Sequence, residues 1–522
     1  MRLADKLRPL ARYEPWVVLG PLALVQWLAA LAFALTRPHN GWFFPQGPET
    51  TWTWTGGWLL GRGHLSGADT GWAWSFALMP VSWLTGADYL GGLPVIVVVQ
   101  VLLFLPLGLW LAYRLGAQVA GRLVGYLAAA LWALGPYVGA ALSQPEYHKT
   151  FVDGFLPQLV GLTGSAALPA ALLLTASALF ALRSLDGGPQ LDAVAAGLAA
   201  GLAAAIEPLN LLYLVAPLLA LALRRRWRAL GGLAVGLAPA LVVLLLWRAR
   251  SPGGVDLGGI GSALDVHWSR LSYTFTWVRE YFWSLHVFEW LVVAGVIAVA
   301  RISPVKAVFL GAWFFAFLLS RGGDPALDIR QGTLWPTLVP ALPALAVLIA
   351  AIPLLVPKLG PRLVHGFAAA TPRAVRRWAV ATAAIAGAAV PFVLVAAASP
   401  AASAPAVSVP ADLAYVPAGR PLGLRAAAVG GVVTLSWRPA GGRTTVLYRL
   451  YRTAHGQSLD CSGSPPCRLQ GEPLATTYST QVGDRPGPGR WDYRLTRGAD
   501  SDPASGEGLT VLVSAPAEVR VR

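Results

Sequence analysis

Residues 48–63 read Pro48-Glu49-Thr50-Thr51-Trp52-Thr53-Trp54-Thr55-Gly56-Gly57-Trp58-Leu59-Leu60-Gly61-Arg62-Gly63: a carboxylate, a short amphipathic run, then a glycine-arginine-glycine stop. At helical spacing Trp54 and Trp58 fall on one face. Glu49 stands where a helix beginning near Thr50-Thr51 has its exposed N–H groups, which favour an acid. Tryptophans of this kind seat a helix at a membrane-water boundary. The stretch therefore reads as one acid held just above a membrane surface, and the rest of the chain decides which surface.

The chain has 522 residues, of which 56% are hydrophobic and only 12% charged, with a mean hydropathy of +0.57. Soluble globular domains are not built from that mixture. A formal net charge of +15 does not imply a nucleic-acid partner, because most Lys and Arg sit in short loops between apolar runs, where they set orientation. The wealth of Ala, Gly, Leu, Val, Arg and Pro, with little Lys, points to a GC-rich genome of the actinobacterial kind.

A helix crosses a bilayer with roughly 20 apolar residues, and such runs recur through the first 400 positions. Arg2, Lys6, Arg8 and Arg12 precede the first, Trp16 to Leu35, which lacks a cleavage site for removal as a signal peptide. Residues 37–90 then lie outside, with a half-buried piece from Trp72 to Leu84. Further spans are expected at Leu93 to Tyr113, Leu123 to Leu142 and Leu162 to Leu182, with Arg114 and Arg122 marking an inner turn. A pair of short apolar pieces over 191–223 is hinged at Glu207-Pro208-Leu209-Asn210 and followed by Arg224, Arg225, Arg226 and Arg228. Leu230 to Trp247, Val287 to Ala300, Ala307 to Ser320, Leu334 to Val356 and Ala379 to Ala398 complete eleven spans, with residues 248–285 and 321–332 as outer loops. The positive-inside bias agrees at every loop assigned to the inner side, so the amino terminus is expected in the cytoplasm and the carboxyl terminus outside a plasma membrane.

Residues 401–412 have the Ala, Ser and Pro composition of a linker. From residue 413 to 522 the pattern changes to period two, as in Val432-Val433-Thr434-Leu435-Ser436-Trp437, Val446-Leu447-Tyr448-Arg449-Leu450-Tyr451-Arg452 and Trp491-Asp492-Tyr493-Arg494-Leu495. Short strands between turns predict a β-sandwich. Cys461 and Cys467 flank Ser-Gly-Ser-Pro-Pro; in an oxidising outer compartment they are expected to close a small disulfide loop, with two free thiols as the alternative. The fold expected is thus a polytopic helical membrane bundle, residues 1–400, followed by an outer all-β domain.

The acids and cations assigned to the outer side include Glu49, Asp69, Glu146, His148, Lys149, Asp153, Glu207, Asp265, Glu280, Asp328 and Arg330. Converging at the outer end of a bundle, they make a polar cleft beside lipid. No metal-ligand spacing is present among the 7 His and 2 Cys. No phosphate-cradling glycine loop lies on the inner side, which argues against a nucleotide-driven pump.

A first span, an outer loop with an acid, the helix ending Trp58-Leu59-Leu60-Gly61-Arg62-Gly63-His64-Leu65 and a proline-containing segment together resemble the GT-C class of membrane glycosyltransferases that use polyprenyl-phosphate donors. That class includes the protein O-mannosyltransferases and the lipid A aminoarabinose transferases. The hairpin GLAAGLAAAIEPLNLLYLVAPLLALALRRR (197–226) and the segment DIRQGTLWPTLVPALPAL (328–345) are similar too. The tail, with VTLSWRP, YRLYR and WDYRL, looks like a fibronectin type III module. The class usually carries Asp, often paired with a second acid, where this chain has Glu49.

The resemblance implies an inverting transfer of a sugar from a polyprenyl phosphate to a cell-envelope glycan, lipid or protein. It implies Glu49 as general base with Glu146 or Asp153 assisting, and His148, Lys149 and Arg330 around the leaving phosphate. Glu207, Trp54, Trp58, Asp69 and Asp265 are candidates for the cavity wall, the tryptophans as sugar-stacking surfaces. The resemblance fixes no definite cofactor and leaves a divalent cation open. Competing readings give these residues plainer roles: Glu49 as a helix cap, His148 and Lys149 as snorkelling side chains, Arg330 as a loop end, and the tryptophans as an interfacial belt. Two other functions compete for the whole chain, a non-catalytic envelope scaffold and an envelope-lipid transporter. Against the transporter, no paired halves are evident.

Overall fold

The computed structural model describes residues 15–36, 48–65, 71–85, 95–142, 165–250, 266–282, 290–325, 327, 329, 334–356, 382, 387, 389–400, 423–429, 431–438, 446–457, 461–462, 468–469, 474–477, 481–499, 509–513 and 517–521. Among the described residues the elements up to Ala397 are helical apart from the short strand His64–Leu65, and those from Arg425 on are strands.

Helix α1 is Trp16–Thr36, α2 is Pro48–Leu60 and α3 is Trp72–Thr85, with a two-residue strand β1, His64–Leu65, between α2 and α3. Then come α4, Val95–Ala120, α5, Arg122–Leu142, α6, Ala167–Leu185, and the hairpin α7, Gln190–Ile206, and α8, Pro208–Leu223. Next are α9, Trp227–Arg250, α10, Trp268–Phe282, α11, Leu291–Ala300, α12, Pro304–Gly322, α13, Leu334–Leu355, and α14, Val390–Ala397. Among the described residues α4, α6, α9, α12 and α13 are long and apolar enough to cross a membrane. Five shorter apolar helices lie at Trp16–Leu31, Arg122–Gly135, Gln190–Ile206, Pro208–Leu223 and Leu291–Ala300.

Two local readings differ from the sequence pattern. Arg114 does not mark the inner turn: α4 runs on to Ala120 and the chain reverses at Gly121, whose φ of 97° suits glycine. The outer loop expected over 248–285 contains α10. Hydropathy hides this helix, because only one narrow face, Leu271, Thr274 and Val278, is buried, against the end of α12.

Small residues let the helices approach. A Cβ on Gly197 would lie 2.0 Å from the Leu233 carbonyl oxygen, and one on Gly236 would lie 2.0 Å from that of Val194. The α7–α9 contact is therefore backbone against backbone, as small residues permit between membrane helices.

Polar contacts sort the bundle into two ends. At one, the Lys306 ammonium donates to Asp186 Oδ2 and to the Gln118 carbonyl, both at 2.9 Å, and the Gln118 amide donates to the same Asp186 oxygen at 2.7 Å. The Arg301 guanidinium donates to the Leu355 carbonyl at 2.9 Å at a neighbouring helix end. At the other end Glu207 meets Arg321. Between them Tyr213 packs edge-on against Trp313 and Phe309, with centroids 5.2 and 6.2 Å apart. From Glu207 to Tyr213 the chain thus moves back along α12, so α7 and α8 form a hairpin with Glu207 at its apex. The chain after the last helix is tied to the apex side. Arg250 donates to the carbonyls of Ala396 and Ala398, and β2, Ser399–Pro400, pairs in parallel with β1.

The tail is a set of small antiparallel sheets. Its strands are β3, Arg425–Val429, β4, Val432–Ser436, β5, Val446–Ala454, β6, Cys461–Ser462, β7, Arg468–Leu469, β8, Ala475–Thr477, β9, Gln481–Asp484, β10, Gly489–Ala499, β11, Leu509–Val513, and β12, Ala517–Val521. One sheet runs β3-β4-β9; a larger one runs β11-β10-β5-β8, with β12 also paired to β10. Val433, Leu435, Trp437, Tyr448, Leu450, Val482, Tyr493, Leu495 and Val521 form its core. They come from alternate positions of strands in both sheets, as the period-two pattern requires.

Candidate functional site

The apex between α7 and α8 is made by sequence. Proline has no N–H and disfavours the helical region for the residue before it, and Glu207 accordingly leaves α7 at φ −142°, ψ 119°. Asn210 repairs the break: its backbone N–H donates to the Glu207 carbonyl and its side-chain amide to the Ala203 carbonyl, both at 2.9 Å. The Ala203 carbonyl already accepts the Glu207 N–H at 3.1 Å, so the Asn210 amide is a second donor to it and ties the turn back onto the end of α7. The Glu207 side chain is thereby turned toward the end of α12.

There the Arg321 guanidinium donates to Glu207 Oε1 at 2.9 Å and to Asp324 Oδ2 at 3.3 Å. Arg321 has a side chain only 8% exposed, while that of Glu207 is 43% exposed. A guanidinium withdrawn from water needs paired acceptors; here it has two carboxylates, one of which keeps a face to the outside. The surround is also polar. Thr274 Oγ1 donates to the Gly322 carbonyl at 2.8 Å, and Arg270 to the Leu327 carbonyl at 2.7 Å. On the other flank the Gly71 N–H donates to the Ile206 carbonyl at 3.1 Å. A Cβ on Gly71 would lie 1.9 Å from the Ala205 carbonyl oxygen, so glycine lets the segment before α3 rest on the apex.

From Arg270 an aromatic stripe runs along α10 at helical spacing. The Arg270 guanidinium lies 4.4 Å from the centre of the Tyr273 ring. Tyr273 and Trp277 meet at 6.1 Å edge-on, and Trp277 and Tyr281 stack at 5.3 Å and 23°. Chemically the site offers a guanidinium whose two terminal nitrogens are each held by a carboxylate, one half-exposed carboxylate, and aromatic faces alongside.

Of the residues singled out from sequence, Glu207 is in this cluster. Trp54 is buried in the main helical core, which also contains Trp74 and Leu78. Trp58 is half-buried, with the Arg62 guanidinium 3.9 Å from its ring centre. Glu49 lies in the first turn of α2, but its side chain is outside the described residues, as are Asp69, Glu146, His148, Lys149, Asp153, Asp265 and Arg330. Cys461 is in β6, and Cys467 is outside the described residues.

Arg321 and the α10 stripe were not legible as site residues. A cation after an apolar run reads as the end of a span, and its two acids come from a loop three residues on and from a hinge 114 residues away. The stripe does have a signal, aromatics at every fourth position of Tyr273, Trp277 and Tyr281.

No protein-family model and no curated protein matches this chain. Among solved structures it is similar to the crystal structure of ArnT from Cupriavidus metallidurans bound to undecaprenyl phosphate, at 16% sequence identity and a TM-score of 0.41, over 73% of this chain and 74% of that one.

Proposed function

We propose that this chain is an integral-membrane glycosyltransferase of the GT-C kind, acting at the outer face of the plasma membrane. It takes a sugar from a polyprenyl phosphate and passes it to a cell-envelope glycan, lipid or protein. The observation that carries the reading is the Glu207–Arg321–Asp324 cluster. It sets a buried forked cation and a half-exposed carboxylate at one end of long apolar helices, beside the tryptophan-bearing α2–α3 pair. Arginine presents two parallel donors to a phosphate, and a water-poor site makes such donors effective against charge developing on a leaving group.

In the proposed step the acceptor hydroxyl oxygen attacks the anomeric carbon, and the bond from that carbon to the lipid phosphate oxygen breaks. The hydroxyl proton goes to a carboxylate and the negative charge to the phosphate. Glu49 is the proposed base, with Glu146 and Asp153 assisting. His148, Lys149, Arg330 and Arg321 are the proposed phosphate cations. Asp69 and Asp265 are proposed for the cavity wall. The eleven-span topology, the outer position of the apex and the Cys461–Cys467 disulfide belong to the same proposal. The sheet orders β3-β4-β9 and β11-β10-β5-β8 support a fibronectin type III-like tail.

The test is transfer in proteoliposomes supplied with a panel of polyprenyl-phosphate sugars and cell-envelope acceptors. Wild type is expected to consume at least one donor, and Glu49→Gln to slow transfer by about 10²–10⁴-fold, the usual share of general base help. Unchanged transfer in Glu49→Gln would remove Glu49 from the chemistry. Movement of labelled lipid across the vesicle with its sugar intact would establish a transporter instead.

A further inference from the structure

Away from the membrane bundle, three donors of different chain origin meet on one face of the tail's larger sheet. Strand β10 lies between β5 and β12, and the register sets Thr453, Asp492 and Glu518 in one row across the three. His455 follows two residues after Thr453. Its N–H donates to the Arg490 carbonyl at 3.0 Å, which continues the ladder and holds the imidazole over the same row. His455 Nδ1 lies 2.9 Å from Asp492 Oδ1, and the ligand atoms of His455, Asp492 and Glu518 are all within 4.8 Å of one another.

Asp492 faces this row from both of its oxygens, Oδ1 toward His455 and Oδ2 accepting the Gly456 N–H at 3.1 Å. Like charges directly opposite on neighbouring strands repel, and Asp492 and Glu518 are such a pair. The Asp492 side chain is 6% exposed, so water screens it little. The tail's ion pairs among the described residues are Arg452–Asp484 and His455–Asp492; Glu518 is in neither. Arg494 donates to the Gln457 carbonyl at 3.4 Å, and Arg490 and Arg520 occupy the next row. In the same row as the acids, Thr453 Oγ1 is buried without a hydrogen-bond partner among the described residues. A small cation between the carboxylates answers the repulsion and offers that hydroxyl oxygen a charge to face.

We propose that His455, Asp492 and Glu518 form a site for a divalent transition-metal cation of the zinc or manganese kind. One imidazole nitrogen with two carboxylate oxygens suits such ions, whereas calcium takes oxygen ligands. Metal–ligand bonds of about 2.0–2.2 Å put neighbouring nitrogen and oxygen ligands roughly 3 Å apart, close to the 2.9 Å between His455 and Asp492. Glu518 is exposed and can swing inward to complete the set, with water in the remaining positions. The ion would fasten the turn after β5 to β12 across β10, so binding would stabilise the folded tail by linkage. The proposal does not depend on the glycosyltransferase reading.

The test uses the full-length protein in detergent, carrying an affinity tag without histidines. It is stripped with a chelator, dialysed against micromolar zinc, manganese or calcium, and assayed for bound metal by atomic spectroscopy. Wild type is expected to retain one more zinc or manganese ion per chain than either His455→Gln or Glu518→Gln. Both positions are exposed, so neither change disturbs the core. The metal is also expected to raise the melting temperature of wild type and to leave that of both variants unmoved. Equal metal content in wild type and both variants would overturn the site, and preference for calcium would overturn the class of metal.

Discussion

Glu207 and Arg321 meet at 2.9 Å across 114 residues of sequence, and the contact joins the apex of one hairpin to the end of a helix that is not part of it. Arg321 is the buried partner, so the two ends of the pair are not equivalent. Removing the cation strands two carboxylates at the end of α12, whereas removing Glu207 leaves Arg321 with Asp324. Breaking a fully buried pair costs roughly 3–5 kcal/mol; the half-exposed Glu207 places Arg321→Leu at or below the low end of that range. Thermal unfolding in detergent should show Arg321→Leu lowering the melting temperature more than Glu207→Gln. Equal shifts would mean that Asp324 contributes nothing to holding the guanidinium.

The glycines between α7 and α9 give a sharper contrast. Gly236 and Gly231 belong to the same helix, but a Cβ on Gly236 would strike the Val194 carbonyl oxygen at 2.0 Å, while one on Gly231 would meet nothing within 4 Å. Overpacking of this kind costs roughly 1–3 kcal/mol. Gly236→Ala is expected to lower the yield of monodisperse protein and its melting temperature, and Gly231→Ala to leave both unchanged. Size-exclusion profiles and melting curves of the two variants decide it.

How much of this was written in the sequence depends on the range of the interaction. The apolar runs foretold the helices, Pro208 foretold the break after Glu207, and alternation in Val432-Val433-Thr434-Leu435 foretold β4, because each is a local property of the chain. Helix α10 leaves no hydropathy signal because only one narrow face of it is buried. The partners of Arg321, and the row His455–Asp492–Glu518, were not legible for a different reason. Each joins residues that become neighbours only through helix packing or strand register, and neither leaves a spacing to recognise. Glu49 stands out on local grounds alone, its place after a span and before an interfacial helix.

Tyr493 makes the tail sensitive to alkali. Burial, and then the Asp484 carboxylate that accepts its hydrogen bond at 2.6 Å, push the phenol well above its ordinary value of 10.0. The folded state thus holds the Tyr493 proton more tightly than the unfolded state does. That contribution is fully present below about pH 10 and is lost as pH rises from there toward the folded value. Melting curves recorded from pH 8 upward should show the tail losing stability above about pH 10. Tyr493→Phe should flatten that loss while costing about 1 kcal/mol at neutral pH for the missing hydrogen bond. An identical alkaline slope in the variant would assign the effect to other groups.

Lys306 and Arg321 stand at opposite ends of α12, and each is paired with an acid from a different helix connection, Asp186 for the one and Glu207 for the other. The basic residues Arg224, Arg225 and Arg226 lie toward the Lys306 end: a Cβ on Gly187 would be 3.3 Å from the Arg226 guanidinium. The tail departs from the opposite end, where Arg250 holds the Ala396 and Ala398 carbonyls and β2 pairs with β1. Basic loops remain in the cytoplasm, so the tail should emerge on the outer face. Alkaline phosphatase, which matures only outside the cytoplasm, is expected to be active when fused after Arg522 and inactive when inserted at Arg225. A green fluorescent reporter exported in unfolded form should give the reverse pattern. Activity of the Arg225 insertion alone would turn the bundle over and carry the Glu207–Arg321 cluster to the cytoplasmic side, where the proposed acceptor does not reside, and activity of both fusions would overturn the placing of Arg225 and the tail at opposite ends.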